Sequence, residues 1–209
     1  VDLCESDKEN AYAINANGPK YLAMAAKEID AELVHVSTDY VFDGTSSRPY
    51  LETDTPCPQS VYGSSKLAGE KNVMEKYYIV RTAWLYGDGK NFVRTMLRLA
   101  KDHDMLTVVN DQFGSPTSAL ELARMILYII DKKDYGIYHA TCEGITSWYD
   151  FAKEIFKQAS VSIQVKPVST EEYPAAIAKR PAYSVLENAH LHALGDYRMK
   201  DWKDALKEY

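Results

Sequence analysis

The 209-residue sequence contains few cysteines, no long apolar run and no excess of positive charge. Its three cysteines, Cys4, Cys57 and Cys142, are widely spaced and form no C-x-x-C pair, so they predict neither a disulfide framework nor a metal site. No apolar run approaches the roughly 20 residues that cross a bilayer. The net charge of −6 argues against a protein that binds nucleic acid through its phosphates. We therefore expect a reduced, cytoplasmic globular protein with no membrane or nucleic-acid partner.

β-rich and helical segments alternate along the chain. Strand-like runs lie at 33–36, 77–87, 106–111, 136–142 and 163–168. Helical apolar patterns occupy 1–30, 62–75, 91–104, 115–133, 146–159 and 201–209. Strands that alternate with long helices predict an α/β fold, with a mostly parallel sheet and helices on its faces. No internal repeat or linker divides the chain into two independent domains.

Tyr62 and Lys66 are four residues apart at the start of a predicted helix, in SVYGSSKLAGE (60–70). Residues at this spacing lie on one helix face, so both side chains can enter one cleft. A phenol has a pKa of about 10, and a nearby ammonium lowers it, which makes the phenol a usable general acid or base. Two solvated residues on adjacent turns would show the same spacing.

Ser37 and Thr38 follow the apolar strand that begins at Leu33. Ligand sites in parallel α/β sheets lie beyond the carboxyl ends of the strands. A hydroxyl there could bind a substrate carbonyl together with Tyr62. A turn closed by side-chain hydrogen bonds is the alternative.

Five blocks in a fixed order carry a family resemblance. They are STDYVFDG (37–44), VYGSSKLAGE (61–70), RTAWLYG (81–87), GKNFV (89–93) and VVNDQFGSPT (108–117). These blocks closely resemble the extended short-chain dehydrogenase/reductases, and within them the dTDP-4-dehydrorhamnose reductase family. The resemblance runs from residue 1 to nearly the end of the chain.

The resemblance implies a catalytic set of Thr38, Tyr62 and Lys66. NADPH or NADH would deliver hydride to the C4 ketone of a dTDP-4-dehydro-6-deoxy-L-sugar, and Tyr62 would give the proton. Lys66 would lower the pKa of Tyr62 and hold the nicotinamide ribose, and Thr38 would orient the ketone oxygen. Val36, Tyr62 and Lys66 are the implied cofactor-binding residues, and Asn15 would help to position Lys66 through water.

The same resemblance implies sugar contacts from Asp39, Trp84, Gln112 and Thr117, besides Thr38. An N-capping Asp39, a core Trp84 and a plain Gly-Pro turn around Gln112 and Thr117 are the alternatives.

Two departures from the family pattern concern the cofactor. KRPAYSVL (179–186) has Tyr183 where the family has Asn, although Arg180 could still reach a pyrophosphate. The family also begins with a G-x-x-G-x-x-G turn that holds the pyrophosphate, and the ten glycines form no such motif here. We expect a fragment of an ordinary reductase, and very weak cofactor affinity and negligible activity from these 209 residues alone.

The implied architecture is a partial Rossmann-like parallel sheet with a small C-terminal substrate-binding lobe. Residues 1–87 would form the C-terminal half of the dinucleotide-binding unit. Residues 88–209 would form the lobe, with a helix and strand at about 117–141 that return to the sheet. No metal ligand set is predicted, and a homodimer is consistent with the family.

Two other functions stay open. One is another nucleotide-sugar epimerase or dehydratase of the same superfamily, because Asp39 beside Thr38 resembles the acidic residue of the dehydratases. The other is a non-catalytic subunit that resembles the regulatory subunit of methionine adenosyltransferase.

Overall fold

A computed structural model describes residues 1–73, 77–173 and 177–209. The α-helices are α1 (Asp2–Ser6), α2 (Lys8–Tyr12), α3 (Gly18–Glu28), α4 (Val61–Lys71), α5 (Phe92–Leu99), α6 (Ala119–Lys132), α7 (Trp148–Gln158), α8 (Ala189–Ala193) and α9 (Trp202–Glu208). The strands are β1 (Leu33–Thr38), β2 (Tyr77–Thr82), β3 (Leu85–Tyr86), β4 (Met105–Val109), β5 (Phe113–Gly114), β6 (Thr117–Ser118), β7 (Gly136–His139), β8 (Thr146–Ser147) and β9 (Gln164–Val168). A π-helix (Ala13–Asn17) joins α2 to α3, and a 3₁₀ turn (Asp39–Val41) follows β1.

The principal sheet has three parallel strands in the order β1-β2-β7. Thr38 lies opposite Thr82, so β1 and β2 end together at one edge. This confirms the predicted α/β class with a parallel sheet. β1 is two residues longer than predicted and includes Ser37 and Thr38, which the sequence pattern placed just beyond the strand.

Successive β2 side chains point to opposite faces of the sheet. Helices pack on both faces and bury both sets of side chains. Tyr78 and Val80 belong to the main apolar core together with Met125 and Ile129 of α6. On the other face Arg81 forms an ion pair with Glu70 of α4. The sheet is therefore a buried central layer between α6 and α4.

α4 lies unusually close to its neighbours. A Cβ added at Gly63 would come within 2.1 Å of the Tyr40 carbonyl oxygen, and one at Gly69 within 2.1 Å of the Asn15 carbonyl oxygen. Both contacts are with backbone, which cannot swing aside, so glycine permits this approach. α4 ends at Lys71, and the predicted end near Glu75 lies outside the described residues.

Residues beyond β2 build smaller layers around the same core. The added sheets pair β4 with β9, β3 with β6, and β5 with β8. The predicted run 77–87 is split, because Trp84 has φ of +48° and ends the extended backbone between β2 and β3. The segment predicted to return to the sheet contains α6 and β7, and β7 pairs with β2. Among the described helices, none combines the length and apolar character that a membrane crossing needs.

Candidate active site

Thr38 lies at the last position of β1, at the carboxyl edge of the parallel sheet. Its Oγ1 donates to Asp39 Oδ1 at 2.9 Å and accepts from the Tyr40 amide at 3.3 Å. The Thr38 hydroxyl thus caps the 3₁₀ turn and is held in one orientation. The predicted N-capping role of Asp39 is performed by Thr38 instead.

Tyr62 lies in the first turn of α4. Ser60 sets the helix start, because its Oγ accepts from the Gly63 amide at 3.0 Å. The Tyr62 ring meets the Tyr40 ring edge-on, with centroids 5.4 Å apart. Burial raises the pKa of Tyr62 to about 12, and the Thr38 hydroxyl beside it opposes the rise. The direction is opposite to the lowering that the Tyr–Lys spacing predicts, because removal of the phenol from water outweighs the other effects.

Lys66 reaches from α4 to the neighbouring strand. Its Nζ donates to the Val36 carbonyl oxygen at 2.6 Å. Burial lowers the pKa of Lys66, and the negative charge of Glu70 opposes that effect. The two remaining ammonium protons make no hydrogen bond within the described residues. This donor set fits a ribose, whose hydroxyls accept hydrogen bonds, beside the partly exposed Val36 side chain.

Asp39 is a buried carboxyl next to Thr38, only 4% exposed. Within the described residues its Oδ2 has no hydrogen-bond partner. Burial raises the pKa of Asp39 to about 6, although the hydrogen bond from Thr38 opposes the rise. In the folded protein this carboxyl is therefore protonated at a higher pH than an ordinary aspartate.

This raised pKa predicts a pH dependence of stability. A carboxyl that is more basic in the folded state binds its proton more tightly there, so folding is favoured at low pH. The contribution of Asp39 is fully present below the ordinary pKa of 3.8 and is lost as the pH rises through about 6. We expect Asp39→Asn to gain roughly 2–3 kcal/mol relative to the parent as the pH rises across this window.

The measurement is urea unfolding of parent and variant between pH 4 and pH 7, a span chosen around the two pKa values of 3.8 and about 6. Asp43→Asn is the control, since the Tyr50 hydroxyl holds the pKa of the partly exposed Asp43 carboxyl below its usual value. The loss of stability between pH 4 and pH 7 should therefore persist in this variant. Parallel stability curves for parent and Asp39→Asn would contradict the assignment.

Trp84 and Gln112 lie in the smaller layers. The Trp84 ring stacks on Trp148 with centroids 3.5 Å apart and packs against Gly114, where an added Cβ would come within 2.4 Å of the indole. Gln112 is buried, and its Nε2 donates to Thr170 Oγ1 at 3.0 Å. Both side chains are thus oriented by contacts with the C-terminal part of the chain.

Thr117 is fully buried. Its hydroxyl donates to the Ser115 carbonyl at 3.2 Å and accepts from the Cys142 amide at 3.3 Å. These bonds hold the Thr117 hydroxyl in one orientation at β6.

Arg180 and Asn15 also have protein partners. Arg180 bonds to Asp2 at 2.6 Å and to the Tyr40 hydroxyl at 3.0 Å, which joins the N-terminal helix to the C-terminal segment beside Tyr62. Asn15 lies in the π-helix, and its Nδ2 donates to Ser65 Oγ at 3.0 Å. Asn15 therefore contacts α4 at Ser65, the residue directly before Lys66.

Sequence reasoning missed a buried polar group behind this site. Glu70 and Arg81 are 3% and 2% exposed, and the Glu70 carboxylate also accepts from Ser37 Oγ at 2.5 Å. The spacing in the sequence was a signal for Glu70, because Glu70 follows Lys66 by four residues as Lys66 follows Tyr62.

Among the described residues, no group of three or more His, Cys, Asp or Glu side chains is arranged to hold a metal ion.

Thr38, Tyr62 and Lys66 meet where two parallel strands end, on a sheet covered by helices. This combination of fold and side chains defines a short-chain dehydrogenase/reductase. The family model described as the RmlD substrate binding domain matches residues 1–209.

Curated relatives and solved structures agree on a narrower family. The spore coat polysaccharide biosynthesis protein SpsK of Bacillus subtilis is 42% identical and is matched over 100% of this chain and 74% of its own length. The dTDP-4-dehydrorhamnose reductase of Escherichia coli is also 42% identical, over 99% of this chain and 74% of its own length.

A crystal structure of a dTDP-4-dehydrorhamnose reductase from Clostridium acetobutylicum is 56% identical with a TM-score of 0.97, and covers 100% of this chain and 75% of its own. One from Bacillus anthracis in complex with NADP is 45% identical with a TM-score of 0.97 and the same coverage. The chain belongs to the dTDP-4-dehydrorhamnose reductase family.

Proposed function

We propose that the protein reduces the C4 ketone of dTDP-4-dehydro-6-deoxy-L-mannose to dTDP-L-rhamnose, within nucleotide-sugar biosynthesis. The observation that carries this proposal is the meeting of Thr38, Tyr62 and Lys66 at the carboxyl edge of the parallel sheet. Relatives that match almost the whole chain include reductases by name, and one of these reductases is solved with NADP, which supports this reaction over other uses of the fold.

Tyr62 is the proton donor in this proposal. Its pKa of about 12 keeps the phenol protonated at neutral pH, as a general acid must be before reaction. The Thr38 hydroxyl donates its single proton to Asp39 Oδ1 when no substrate is bound, and it would turn this proton to the ketone oxygen on substrate binding, which orients the ketone toward Tyr62. As charge develops on that oxygen, Tyr62 transfers its proton and becomes a phenolate.

Lys66 would stabilise this phenolate with its positive charge, and its two remaining protons would hold the nicotinamide ribose. The Val36 carbonyl oxygen fixes Lys66, and the partly exposed Val36 side chain would contact the cofactor. Bound NADPH or NADH supplies the hydride that reduces the ketone carbon.

The sugar contacts remain part of the proposal. Asp39 and Trp84 would contact the deoxysugar, and Gln112 would add a polar contact from the loop before β5. The buried Thr117 would support this loop. Residues 1–87 would serve the cofactor and residues 88–209 the substrate, in a cytoplasmic homodimer.

The experiment is an assay of the full-length gene product with NADPH and dTDP-4-dehydro-L-rhamnose. Loss of NADPH absorbance that depends on the keto-sugar, with dTDP-L-rhamnose as the product by NMR, is expected. NADPH left unconsumed by a folded protein would refute the reductase. Release of water from a dTDP-hexose without net NADPH oxidation would favour the dehydratase alternative.

A further inference from the structure

Glu70 shares one face of α4 with Tyr62 and Lys66. The three residues follow one another at intervals of four, so their side chains lie on consecutive turns. Tyr62 and Lys66 face the carboxyl edge of the sheet, whereas Glu70 is 3% exposed and points at the sheet itself. A carboxylate is rarely buried to this degree without specific partners.

The partners of Glu70 come from both strands beneath α4. Its Oε1 accepts from Arg81 Nε at 3.0 Å and from Ser37 Oγ at 2.5 Å, and its Oε2 accepts from Arg81 Nη2 at 2.7 Å. Ser37 and Arg81 are opposite each other in the parallel register. Three charge-assisted bonds therefore tie α4 to the ends of β1 and β2 at one point.

The contact that Glu70 makes between α4 and the two strands lies next to the proposed catalytic residues. Ser37 directly precedes Thr38, and Lys66 is one turn from Glu70. Thr38 and Tyr62 are on different elements, so their separation depends on how α4 sits on β1. A shift of about 1 Å in such a separation can cost on the order of 10²-fold in rate.

Glu70 also supplies charge beside Lys66. Burial disfavours the ammonium and lowers the pKa of Lys66, and the Glu70 carboxylate opposes this effect. His35 faces the same side of β1 as Ser37, but burial, with the Lys66 charge, lowers its pKa to about 4, so it is neutral at pH 7. The Tyr62 phenol is neutral there as well, and Asn15 and Ser65 carry no charge.

We propose that Glu70 is a positioning residue of the reductase: it docks the helix of Tyr62 and Lys66 on the strand end that carries Thr38, and it holds a carboxylate one helical turn from the Lys66 ammonium. The proposal rests on the proposed function, because it assigns Glu70 a part in that reaction. Arg81 and Ser37 hold Glu70 in place, and Glu70 itself does not contact the substrate.

The first test measures how much of the Lys66 amine is uncharged, and it requires no enzymatic turnover. Parent and Glu70→Gln chains are labelled with trace acetic anhydride across a pH series, and acetylation of each lysine is read by peptide mass spectrometry. Only the uncharged amine reacts. We expect acetylation of Lys66 in Glu70→Gln to increase at least about twofold near neutral pH, relative to Lys71 in the same sample. Lys71 is exposed at the end of α4.

Two further variants make the result decisive. Glu5→Gln is the matched control, because Glu5 also bonds to α4, at the Val61 amide at 2.8 Å, yet lies at the opposite end of the helix from Glu70. It should leave the labelling of Lys66 unchanged. If Glu70→Gln does not fold, Glu70→Gln/Arg81→Met removes the unpaired cation and keeps an acceptor for Ser37. Unchanged Lys66 labelling in a folded Glu70 variant would overturn the charge role.

The second test uses the full-length gene product and reads the docking role. We expect kcat of Glu70→Gln to fall at least about tenfold, with the alkaline limb of the kcat profile moved to lower pH. Glu70→Asp should restore the position of that limb. A folded variant with unchanged kcat and pH profile would overturn the proposal. If the parent itself shows no reductase activity while Lys66 labelling still responds to Glu70→Gln, the proposed function fails and the Lys66–Glu70 coupling stands.

Discussion

Tyr62→Phe is expected to lower kcat for keto-sugar reduction by about 10²–10⁴-fold, the usual contribution of a positioned proton donor. The substitution removes one oxygen atom and keeps the ring that packs edge-on against Tyr40. Thr38 keeps its place at the end of β1, so its hydroxyl can still turn to the ketone oxygen and orient it. The loss should therefore appear in kcat, with the KM of the keto-sugar and the melting temperature little changed.

Tyr40→Phe is the matched control. It removes a hydroxyl from the neighbouring ring, one that bonds to Arg180 and not to Thr38. We expect it to keep most of kcat and to weaken the link between Arg180 and the N-terminal part. If Tyr62→Phe turned over as fast as the parent, water or another group would be the proton donor and the role assigned to Tyr62 would be wrong.

The sequence was sufficient for the elements around the site. The alternation of apolar strands and helices predicted β1, β2, β7 and the helices between them, because burial on both faces demands that pattern. The helical pattern at 146–159 likewise predicted α7, and Ser147 caps its start by accepting from the Asp150 amide. Local chemistry decides such features, so a single sequence reveals them.

Features that depend on distant contacts were not predictable. The π-helix at Ala13–Asn17 changes the hydrogen-bond spacing of a helix without a compositional signal. The turn at Trp84 forces φ to +48° in a run of β-forming residues, and its stacking on Trp148 is a contact between residues far apart in sequence.

The electrostatics of the site show the same limit. The spacing of Tyr62 and Lys66 placed both residues on one face, but the direction of the pKa shift depends on burial, which spacing does not report. The four-residue spacing shows that Glu70 shares a helix face with Lys66, but it does not show that the Glu70 carboxylate is buried. Only the register of β1 and β2, which brings Ser37 opposite Arg81, identifies it as a buried ion pair.

Arg81→Met is expected to lower the free energy of unfolding by about 3–5 kcal/mol. Arg81 is 2% exposed, and its guanidinium lies 5.2 Å from the centroid of the Phe42 ring. Methionine can fill much of the apolar volume, so packing contributes little to the loss. The cost arises because Glu70 becomes a buried carboxylate with only Ser37 as a partner. Urea unfolding of parent and variant measures it.

The double variant Glu70→Gln/Arg81→Met separates charge from packing. It leaves no buried ion, and an uncharged replacement of a buried pair is often close to neutral in stability. We expect the double variant to recover most of the stability that Arg81→Met loses. Arg48→Met is the surface control, because its ion pair with Asp54 is solvent-screened and should contribute little to stability. Equal losses in the single and double variants would mean that shape, and not the unpaired Glu70 charge, makes Arg81 indispensable.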